Sequence, residues 1–206
     1  MTSAALTASS NGAPDNVSRE TRERLAIYVD LLGRWNARIN LVSASTMADP
    51  WQRHIWDSAQ LLPDALAVGG RMADLGSGAG LPGLILAIMG RPTVALLESD
   101  QRKCAFLREA ARATATEVII LQGRMEALPP ADATLVTARA CAPLDRLLAH
   151  AMRHLVAGGT ALFLKGRSAD EEIAEARKTW TFDVHRRPST TDPEACVLRL
   201  ENISRG

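Results

Sequence analysis

The sequence predicts an α/β fold: a doubly wound, mostly parallel sheet of seven strands, covered by helices on both faces and preceded by a helical extension. Two observations support this prediction. From residue 70 to residue 178, short apolar runs alternate with segments of helical periodicity, which is typical of parallel strands joined by crossover helices. The last two apolar runs are joined only by a polar turn, which predicts an antiparallel hairpin at the end of the sheet.

The N-terminal quarter of the chain has helical periodicity. Apolar residues recur every three or four positions over residues 18–39 and charged residues lie between them, which predicts an amphipathic helix. A second helix is predicted over residues 50–62, where Pro63 ends it, and Gly69 and Gly70 then break the chain.

Length and composition predict one domain. The chain has 206 residues, of which 47% are hydrophobic, and this is enough for a full core. Residues 1–16 are mostly small and polar, so we expect a disordered tail there. Residues 17–206 are expected to form a single domain, in which residues 17–64 are the helical extension and residues 65–206 are the α/β core.

The predicted strands and helices alternate along the α/β core. Before the hairpin, strands are predicted over residues 72–75, 93–97, 118–121, 133–137 and 160–164. Helices are predicted over residues 81–89, 100–113, 143–155 and 170–178, and the hairpin strands over residues 180–185 and 195–200. Asp100 is suited to cap the second of these helices, and Pro143 is suited to the first turn of the third.

Charge and cysteine content exclude several classes of protein. Lys and Arg number 24 and Asp and Glu number 23, so any site for a polyanion must come from local clustering of basic residues. Cys104, Cys141 and Cys196 are widely spaced, which predicts reduced, mostly buried thiols rather than disulfides or a zinc site. No cluster has the spacing of a metal site, and no run reaches the roughly 18 apolar residues of a membrane span. We therefore expect a cytoplasmic protein without metal.

The first predicted strand runs into a glycine-rich turn, Asp74-Leu75-Gly76-Ser77-Gly78-Ala79-Gly80-Leu81-Pro82-Gly83, and a helix follows. Because they lack side chains, Gly76, Gly78 and Gly80 let the backbone turn sharply and approach a ligand closely. Gly78, Gly80 and Gly83 also have the spacing of a dinucleotide-binding motif, with an acidic residue, Glu98, further along. S-adenosylmethionine and nicotinamide dinucleotides both contain adenosine, and Glu98 can accept hydrogen bonds from the ribose hydroxyls of either.

Three features favour S-adenosylmethionine over a dinucleotide. Asp74 lies two positions before the first glycine, where methyltransferases commonly carry an acidic residue. The antiparallel end of the sheet is typical of class I methyltransferases, and no residues remain for the substrate domain of a dehydrogenase. A nicotinamide dinucleotide, and a tight turn that binds nothing, stay open as alternatives.

Seven segments of the chain occur in the order of one known family. They are Trp35-Asn36 with Asn40-Leu41, Arg53-His54-Ile55-Trp56-Asp57-Ser58, the glycine-rich turn, Arg102-Lys103 with Phe106-Leu107-Arg108, Gly123-Arg124-Met125-Glu126, Thr137-Ala138-Arg139-Ala140, and Leu164-Lys165-Gly166. In these segments the chain resembles the bacterial 16S rRNA guanine-N7 methyltransferase family, also called glucose-inhibited division protein B. The resemblance covers nearly everything after the tail, and it implies the class I methyltransferase fold.

The resemblance implies S-adenosylmethionine as the cofactor. The residues expected to bind it are Gly76, Gly78, Gly80, Leu81, Glu98, Met125, Glu126 and Arg139. Met125 and Glu126 are expected at the adenine end, because a polarizable thioether packs beside a flat base and a carboxylate accepts from an exocyclic amine. Glu98 stands where many relatives have aspartate.

The resemblance also implies the acceptor, the N7 atom of a specific guanine in the 16S rRNA of the small ribosomal subunit. That nitrogen has a free lone pair, so methyl transfer needs alignment and no general base. We therefore assign no catalytic acid or base. Arg139 follows the fourth predicted strand at the ligand-binding edge of the sheet, and it is the candidate for orienting the guanine through its O6 edge or a nearby phosphate.

Contacts with RNA are expected from basic residues near the same edge. The candidates are Arg53, Arg124, Lys165 and Arg167, with Arg34, Arg38, Arg102 and Lys103 as further basic positions. For most individual charges, a solvated position on the surface is the simpler interpretation.

Four histidine and aspartate residues have spacings that resemble catalytic or metal pairs. His54 and Asp57 are three apart on one helical face, and we interpret them as a hydrogen-bonded pair that fixes the N-terminal helices against the sheet. His150 and His154 are four apart on one predicted helix, and we interpret them as a solvated or rim pair.

Two other functions stay open. One is a methyltransferase that acts on a small molecule or a protein, and the helical N-terminal region does not exclude it because such enzymes also use helical lids. The other is a non-catalytic module that binds an adenosine nucleotide and transfers nothing. A monomer is expected in each case.

Overall fold

The computed structural model describes residues 17–139 and 142–206. The predicted tail, residues 1–16, and Cys141 lie outside the described residues. Cys104 and Cys196 are free and buried, as predicted. Within the described residues, no helix is long and apolar enough to cross a membrane.

The described residues form a seven-stranded sheet and helices on both of its faces. The strands are β1 (Met72–Leu75), β2 (Val94–Glu98), β3 (Ile119–Gln122), β4 (Ala133–Arg139), β5 (Leu155–Lys165), β6 (Trp180–Pro188) and β7 (Cys196–Arg205). The α-helices are α1 (Arg19–Asn36), α2 (Asp57–Ala59), α3 (Leu62–Val68), α4 (Gly83–Ile88), α5 (Gln101–Ala113), α6 (Leu144–His154) and α7 (Ala169–Ala176). A 3₁₀ turn (Ala44–Ala48) and a π-helical turn (Trp51–Trp56) lie between α1 and α2.

The strand order is β3-β2-β1-β4-β5-β7-β6. Strands β1 to β5 pair with one another in parallel, and β7 pairs antiparallel with both β5 and β6. This confirms the predicted doubly wound sheet with a closing hairpin. The chain order reverses at β1, and ligands in such sheets bind beyond the carboxyl ends of the strands at that reversal.

Successive strand residues point to opposite faces of the sheet and fill two core layers. Leu96 and Leu135 pack in one layer with α1, α4 and α5. Leu97 and Val136, one position further along the same strands, pack in the other layer with α6 and α7. Tyr28 of α1 is fully buried in the first layer, so the helical extension shares its core with the sheet.

The helical extension differs from its prediction in two places. Helix α1 ends at Asn36 rather than at residue 39, because the Asn36 Oδ1 atom accepts from the main-chain N–H groups of Leu41 and Val42 at 2.9 and 3.0 Å. The prediction that Pro63 ends a helix is wrong, because Pro63 lies in the first turn of α3. Proline is tolerated there since the first N–H groups of a helix have no intrahelical partner.

Replacing Gly83 by alanine is expected to lower the free energy of unfolding by about 2 kcal/mol, a typical cost of overpacking a core. A Cβ atom at Gly83 would lie 2.6 Å from both the Cβ atom of Asp74 and the Cδ2 atom of Leu96. Gly33 in α1 is the matched control, because its nearest such contact is the Met47 Cε atom at 3.8 Å. Gly33→Ala should stabilise the protein by up to about 1 kcal/mol through helix propensity. Urea unfolding of both variants measures the difference, and equal effects would contradict the tight packing at Gly83.

Candidate functional site

The glycine-rich turn lies between β1 and α4, and α1 fixes it. Gly76, Gly78 and Gly80 have φ angles of 64°, 56° and 82°, which favour glycine. The Tyr28 hydroxyl donates a 2.7 Å hydrogen bond to the main-chain oxygen of Ala79. Burial raises the pKa of Tyr28 above its usual range, so this hydroxyl remains a donor.

The acidic residue at the start of the turn lies inside the sheet. Asp74 is fully buried, and its Oδ1 atom accepts from the Thr137 hydroxyl of β4 at 2.8 Å. Burial raises the pKa of Asp74 to about 6, although hydrogen bonds from Thr137 and Ser77 act in the opposite direction. Asp74 therefore joins β1 to β4 beneath the turn.

Glu98, the last residue of β2, lies beside the turn. Its Oε2 atom accepts from the Gly78 N–H at 2.8 Å, and its Oε1 atom accepts from the Asp100 N–H at 2.8 Å. The side chain is almost completely buried, and each carboxylate oxygen has a further lone pair. The two carboxylate oxygens of Glu98 are therefore fixed as hydrogen-bond acceptors beside the glycine-rich turn.

A cavity of about 640 Å³ lies along this edge of the sheet. Its volume is typical of sites for small ligands. The walls are formed by the glycine-rich turn, the residues at the carboxyl ends of β2, β4 and β5, the segment from the loop after α1 to α2, and the loop between β6 and β7. The cavity therefore lies at the chain reversal where the topology favours a ligand site.

Most of the residues predicted to bind the cofactor lie together in the cavity wall. Those that line it are Gly76, Gly78, Leu81, Glu98, Met125 and Arg139. Gly80 is not among them, and a Cβ atom there would lie 2.7 Å from the Leu84 Cβ atom and 3.0 Å from the Leu107 Cδ2 atom. Glu126 is also outside the wall, and its exposed carboxylate pairs with Arg124 at 3.5 Å. The geometry therefore gives Gly80 a packing role against α4 and α5.

Met125 is held in the wall by the end of α6. The Nε2 atom of His154 lies 2.9 Å from the main-chain oxygen of Met125, and the His154 side chain is fully buried. Burial lowers the pKa of His154, so the ring is neutral and its Nε2–H donates to this oxygen. The interpretation of His154 as solvated is therefore wrong, whereas His150 is partly exposed.

Arg139, the last residue of β4, joins the sheet to the helical extension. Its Nη1 atom donates to the Asp57 Oδ2 atom at 3.1 Å and to the Arg53 main-chain oxygen at 2.9 Å. Its Nη2 atom donates to the Nδ1 atom of His54 at 3.1 Å. His54 and Asp57 thus hold the helices against the sheet, but each bonds to Arg139 instead of to the other.

His54 is neutral at physiological pH. Burial, followed by the positive charges of Arg139 and Arg53, lowers its pKa to about 4. Because Nδ1 accepts from Arg139, the ring proton is on Nε2, which is buried without a hydrogen-bond partner among the described residues. Protonation of the ring would remove the acceptor for Arg139.

The pKa of His54 predicts a loss of stability in mild acid. The unfolded chain takes up a proton near pH 6.5, whereas the folded chain does so only near pH 4, so the stability falls as the pH falls between these values. The slope approaches about 1.4 kcal/mol per pH unit. His54→Asn retains an acceptor for Arg139 without a titrating ring, and the difference between the two proteins cancels the other titrating groups. Urea unfolding from pH 7 to pH 4.5 should show a smaller acid loss for the variant, and parallel curves would refute the buried neutral histidine.

The four RNA-contact candidates have different environments. Arg53, Arg124 and Arg167 are exposed, and each is paired with a nearby carboxylate. Lys165 is buried, and its Nζ atom lies 2.6 Å from the Glu172 carboxylate and 2.7 Å from a main-chain oxygen. Lys165 lines the cavity, but the pairing of its ammonium group inside the protein disfavours the predicted phosphate contact, which stays a prediction.

Two parts of the cavity wall were not predicted. One is the stretch from Leu41 to Thr46, and the other is the polar loop between β6 and β7. In that loop, the Thr191 hydroxyl donates to the Asp57 Oδ1 atom at 2.7 Å, and the Asp192 Oδ2 atom accepts from Arg53 at 3.0 Å. The sequence shows a polar turn here, but nothing in it indicates that the turn lies beside α2.

Solved structures with a similar fold have low sequence identity to this chain. The glycopeptide N-methyltransferase MtfA superposes with a TM-score of 0.60 at 15% identity, over 71% of this chain and 95% of MtfA. MtfA complexed with sinefungin gives a TM-score of 0.57 at 13% identity, over 70% and 93% of the two chains. TYW2 of M. jannaschii in complex with AdoMet gives 0.54 at 14% identity, over 73% and 77%. These similarities confirm the predicted class I methyltransferase fold.

Comparison of sequences gives much higher identity. A protein of Paramagnetospirillum magneticum named ribosomal RNA small subunit methyltransferase G is 56% identical over 190 residues, which are 92% of this chain and 93% of that protein. A protein of the same name from Rhodospirillum rubrum is 51% identical over 189 residues, covering 92% and 94%. The family model for GidB, the rRNA small subunit methyltransferase G, matches residues 21–195. The chain therefore belongs to the rRNA small subunit methyltransferase G family.

Proposed function

We propose that the protein transfers a methyl group from S-adenosylmethionine to the N7 atom of a specific guanine in the 16S rRNA of the small ribosomal subunit. The observation that carries this proposal is the cavity at the carboxyl edge of the sheet, whose wall includes Gly76, Gly78, Met125 and Arg139 from the segments in which the chain resembles the family. The proposed enzyme acts in the cytoplasm as a monomer. A methyltransferase with a small-molecule or protein acceptor is the second candidate.

The wall of the cavity fits S-adenosylmethionine. Glu98 offers two oxygens with free lone pairs to the two ribose hydroxyls, and Gly76 and Gly78 leave room for the ligand beside the backbone. Met125 lies beyond Glu98 in the direction of β3, where it can pack against the adenine. Glu126 remains a candidate for the adenine amine only if its exposed side chain turns away from Arg124.

The chemistry requires little from the protein besides alignment. When bound, S-adenosylmethionine supplies a methyl group on a positively charged sulfur, and the N7 atom of guanine has a lone pair to accept it. No proton has to leave the attacking atom, so no general base is assigned. Arg139 lines the cavity, and we propose that its guanidinium donates to the guanine O6 atom while His54 and Asp57 fix its orientation.

Exposed basic residues around the cavity are the proposed contacts for RNA phosphates. Arg53, Arg124 and Arg167 retain this proposed role. The lining of a second cleft of about 370 Å³ includes the basic residues Arg38, Arg102 and Lys103 and one acidic residue, Asp100, and Lys103 also lines the main cavity. This cleft extends the basic surface away from the cavity in one direction.

Methyl transfer to ribosomal subunits tests the proposed function. The protein is incubated with radiolabelled S-adenosylmethionine and with small subunits from a strain that lacks the gene. Label at N7 of a single guanine is the expected result. Label that appears only in small molecules or proteins of a cell extract would establish the second candidate. Binding of the cofactor without transfer to any acceptor would refute both and leave a non-catalytic nucleotide-binding module.

A further inference from the structure

The cavity extends well beyond the residues proposed to bind the cofactor. Glu98, Lys103 and Met125 lie near β2 and β3, whereas Arg139 follows β4. The wall continues past β4 to the residues at the end of β5 and to the loop between β6 and β7. With the strand order β3-β2-β1-β4-β5-β7-β6, these are opposite ends of one cavity. The end near β5 and β7 is therefore the part left for the acceptor base.

Three carboxylates line the cavity among the described residues: Asp57, Glu98 and Asp192. Glu98 lies at the cofactor end. Asp57 accepts from Arg139, Thr191 and Gln60, so the protein occupies both lone pairs of its Oδ1 atom and one of its Oδ2 atom. Asp192 is the remaining carboxylate at the acceptor end.

Asp192 has the hydrogen-bonding capacity of a partly occupied carboxylate. Its Oδ1 atom accepts from the Glu194 N–H at 3.0 Å, and its Oδ2 atom accepts from Arg53 Nη1 at 3.0 Å. Each oxygen has two lone pairs, so one on each oxygen is left. The side chain is 28% exposed. The main-chain hydrogen bond from Glu194, with a smaller effect of Arg53, lowers the pKa of Asp192, so the group is ionised and accepts only.

We infer that Asp192 is a specificity-determining residue, which accepts hydrogen bonds from the N1–H and N2 amino groups of the target guanine. This inference rests on the proposed function and deepens it. Among the four RNA bases, guanine alone carries two adjacent donors of this kind. Adenine presents an acceptor at N1 and has no amino group at C2, so an ionised carboxylate would repel it.

The position of Arg139 agrees with this assignment. Arg139 donates to the main-chain oxygen of Arg53, and the side chain of Arg53 donates to Asp192, so all three residues form one wall. In guanine, O6 lies between N7 and N1. A base that presents N7 to the methyl group and O6 to Arg139 therefore presents N1–H and the N2 amino group next along its edge. Enzymes that act on extruded bases read them by hydrogen bonds to this edge.

The matched pair for the test is Asp192→Asn and Glu194→Gln. Both changes replace a carboxylate by an amide in the same loop, but Glu194 is exposed and does not line the cavity. The substrates are small subunits reconstituted with 16S rRNA that carries either guanine or inosine at the methylated position. Inosine retains N7, O6 and N1–H and lacks only the N2 amino group.

The wild-type protein is expected to favour guanine over inosine about 30-fold in kcat/KM, the usual range for a hydrogen bond to a charged group. Asp192→Asn should lower this ratio to about 3 or less, because an amide presents one acceptor and one donor to two donors. Affinity for S-adenosylmethionine should change less than about twofold, and Glu194→Gln should retain the wild-type ratio.

The outcomes separate this inference from the proposed function. If the Asp192–Arg53 pair had only a structural role, Asp192→Asn would lower the melting temperature and slow methylation of both substrates equally. An unchanged ratio of guanine to inosine for Asp192→Asn would overturn the inference and leave the proposed function intact. A wild-type ratio near 1 would do the same. Failure of the wild-type protein to methylate either RNA would overturn the proposed function, and the inference with it.

Discussion

Glutamine in place of Glu98 is expected to weaken the binding of S-adenosylmethionine about 100-fold, which corresponds to about 2.7 kcal/mol. The two oxygens of Glu98 already accept from the N–H groups of Gly78 and Asp100. A glutamine keeps one of these acceptors and places an NH₂ group against the other N–H, so two donors face each other. The same change removes the charged acceptor of one ribose hydroxyl, and hydrogen bonds to charged groups contribute about 1.5–3 kcal/mol each.

Calorimetric titration with S-adenosylmethionine measures this loss of affinity. Glu117→Gln is the control, because Glu117 is exposed and does not line the cavity, so its replacement causes the same change of charge away from the site. The control should bind as the wild type does. An affinity of Glu98→Gln within about threefold of the control would mean that Glu98 serves the turn alone and not the ligand.

The sequence predicts the sheet and the position of the site because their signals are local. The alternation of apolar runs and helices gives the parallel strands, and the polar turn gives the hairpin. The glycine-rich turn predicts the site because backbone without side chains is needed where a ligand approaches closely. Gly76 and Gly78 do line the cavity, and the same pattern could not show that Gly80 packs against helices instead.

The contacts that complete the site connect distant parts of the chain. Arg139 bonds to residues more than 80 positions earlier, and Thr191 bonds to Asp57 across 134 positions. No periodicity in the sequence carries that information. The helical extension therefore holds parts of the site in place. Helix α1 fixes the glycine-rich turn through Tyr28, and α2 with the preceding π-helical turn fixes Arg139. The sequence predicted the helices and their packing against the sheet but not these contacts.

Lys165 shows how a charge at the ligand edge can be paired inside the protein. Most lysines are exposed, so a lysine beside an expected RNA site is naturally interpreted as a phosphate contact. In the structure its ammonium bonds to Glu172, which also accepts from the Leu144 N–H and the Ser168 hydroxyl. Partial burial of Glu172 favours its neutral form, but the hydrogen bonds from Lys165 and Ser168 outweigh this and lower its pKa. The pair joins the end of β5 to α7 and to the start of α6.

Methionine in place of Lys165 is expected to lower the free energy of unfolding by about 3 kcal/mol, because it leaves Glu172 charged and without its cation. Lys178→Met is the matched control, since Lys178 bonds to Glu175 at the same 2.6 Å distance but both side chains are about two-thirds exposed. An exposed pair of this kind contributes less than about 1 kcal/mol. Adding Glu172→Gln to Lys165→Met should restore part of the loss, because it removes the unpaired charge. Urea unfolding measures the stability of all three variants. If Lys165→Met were as stable as the control and its RNA binding depended less on salt, the result would contradict the structural role and support a contact of Lys165 with RNA.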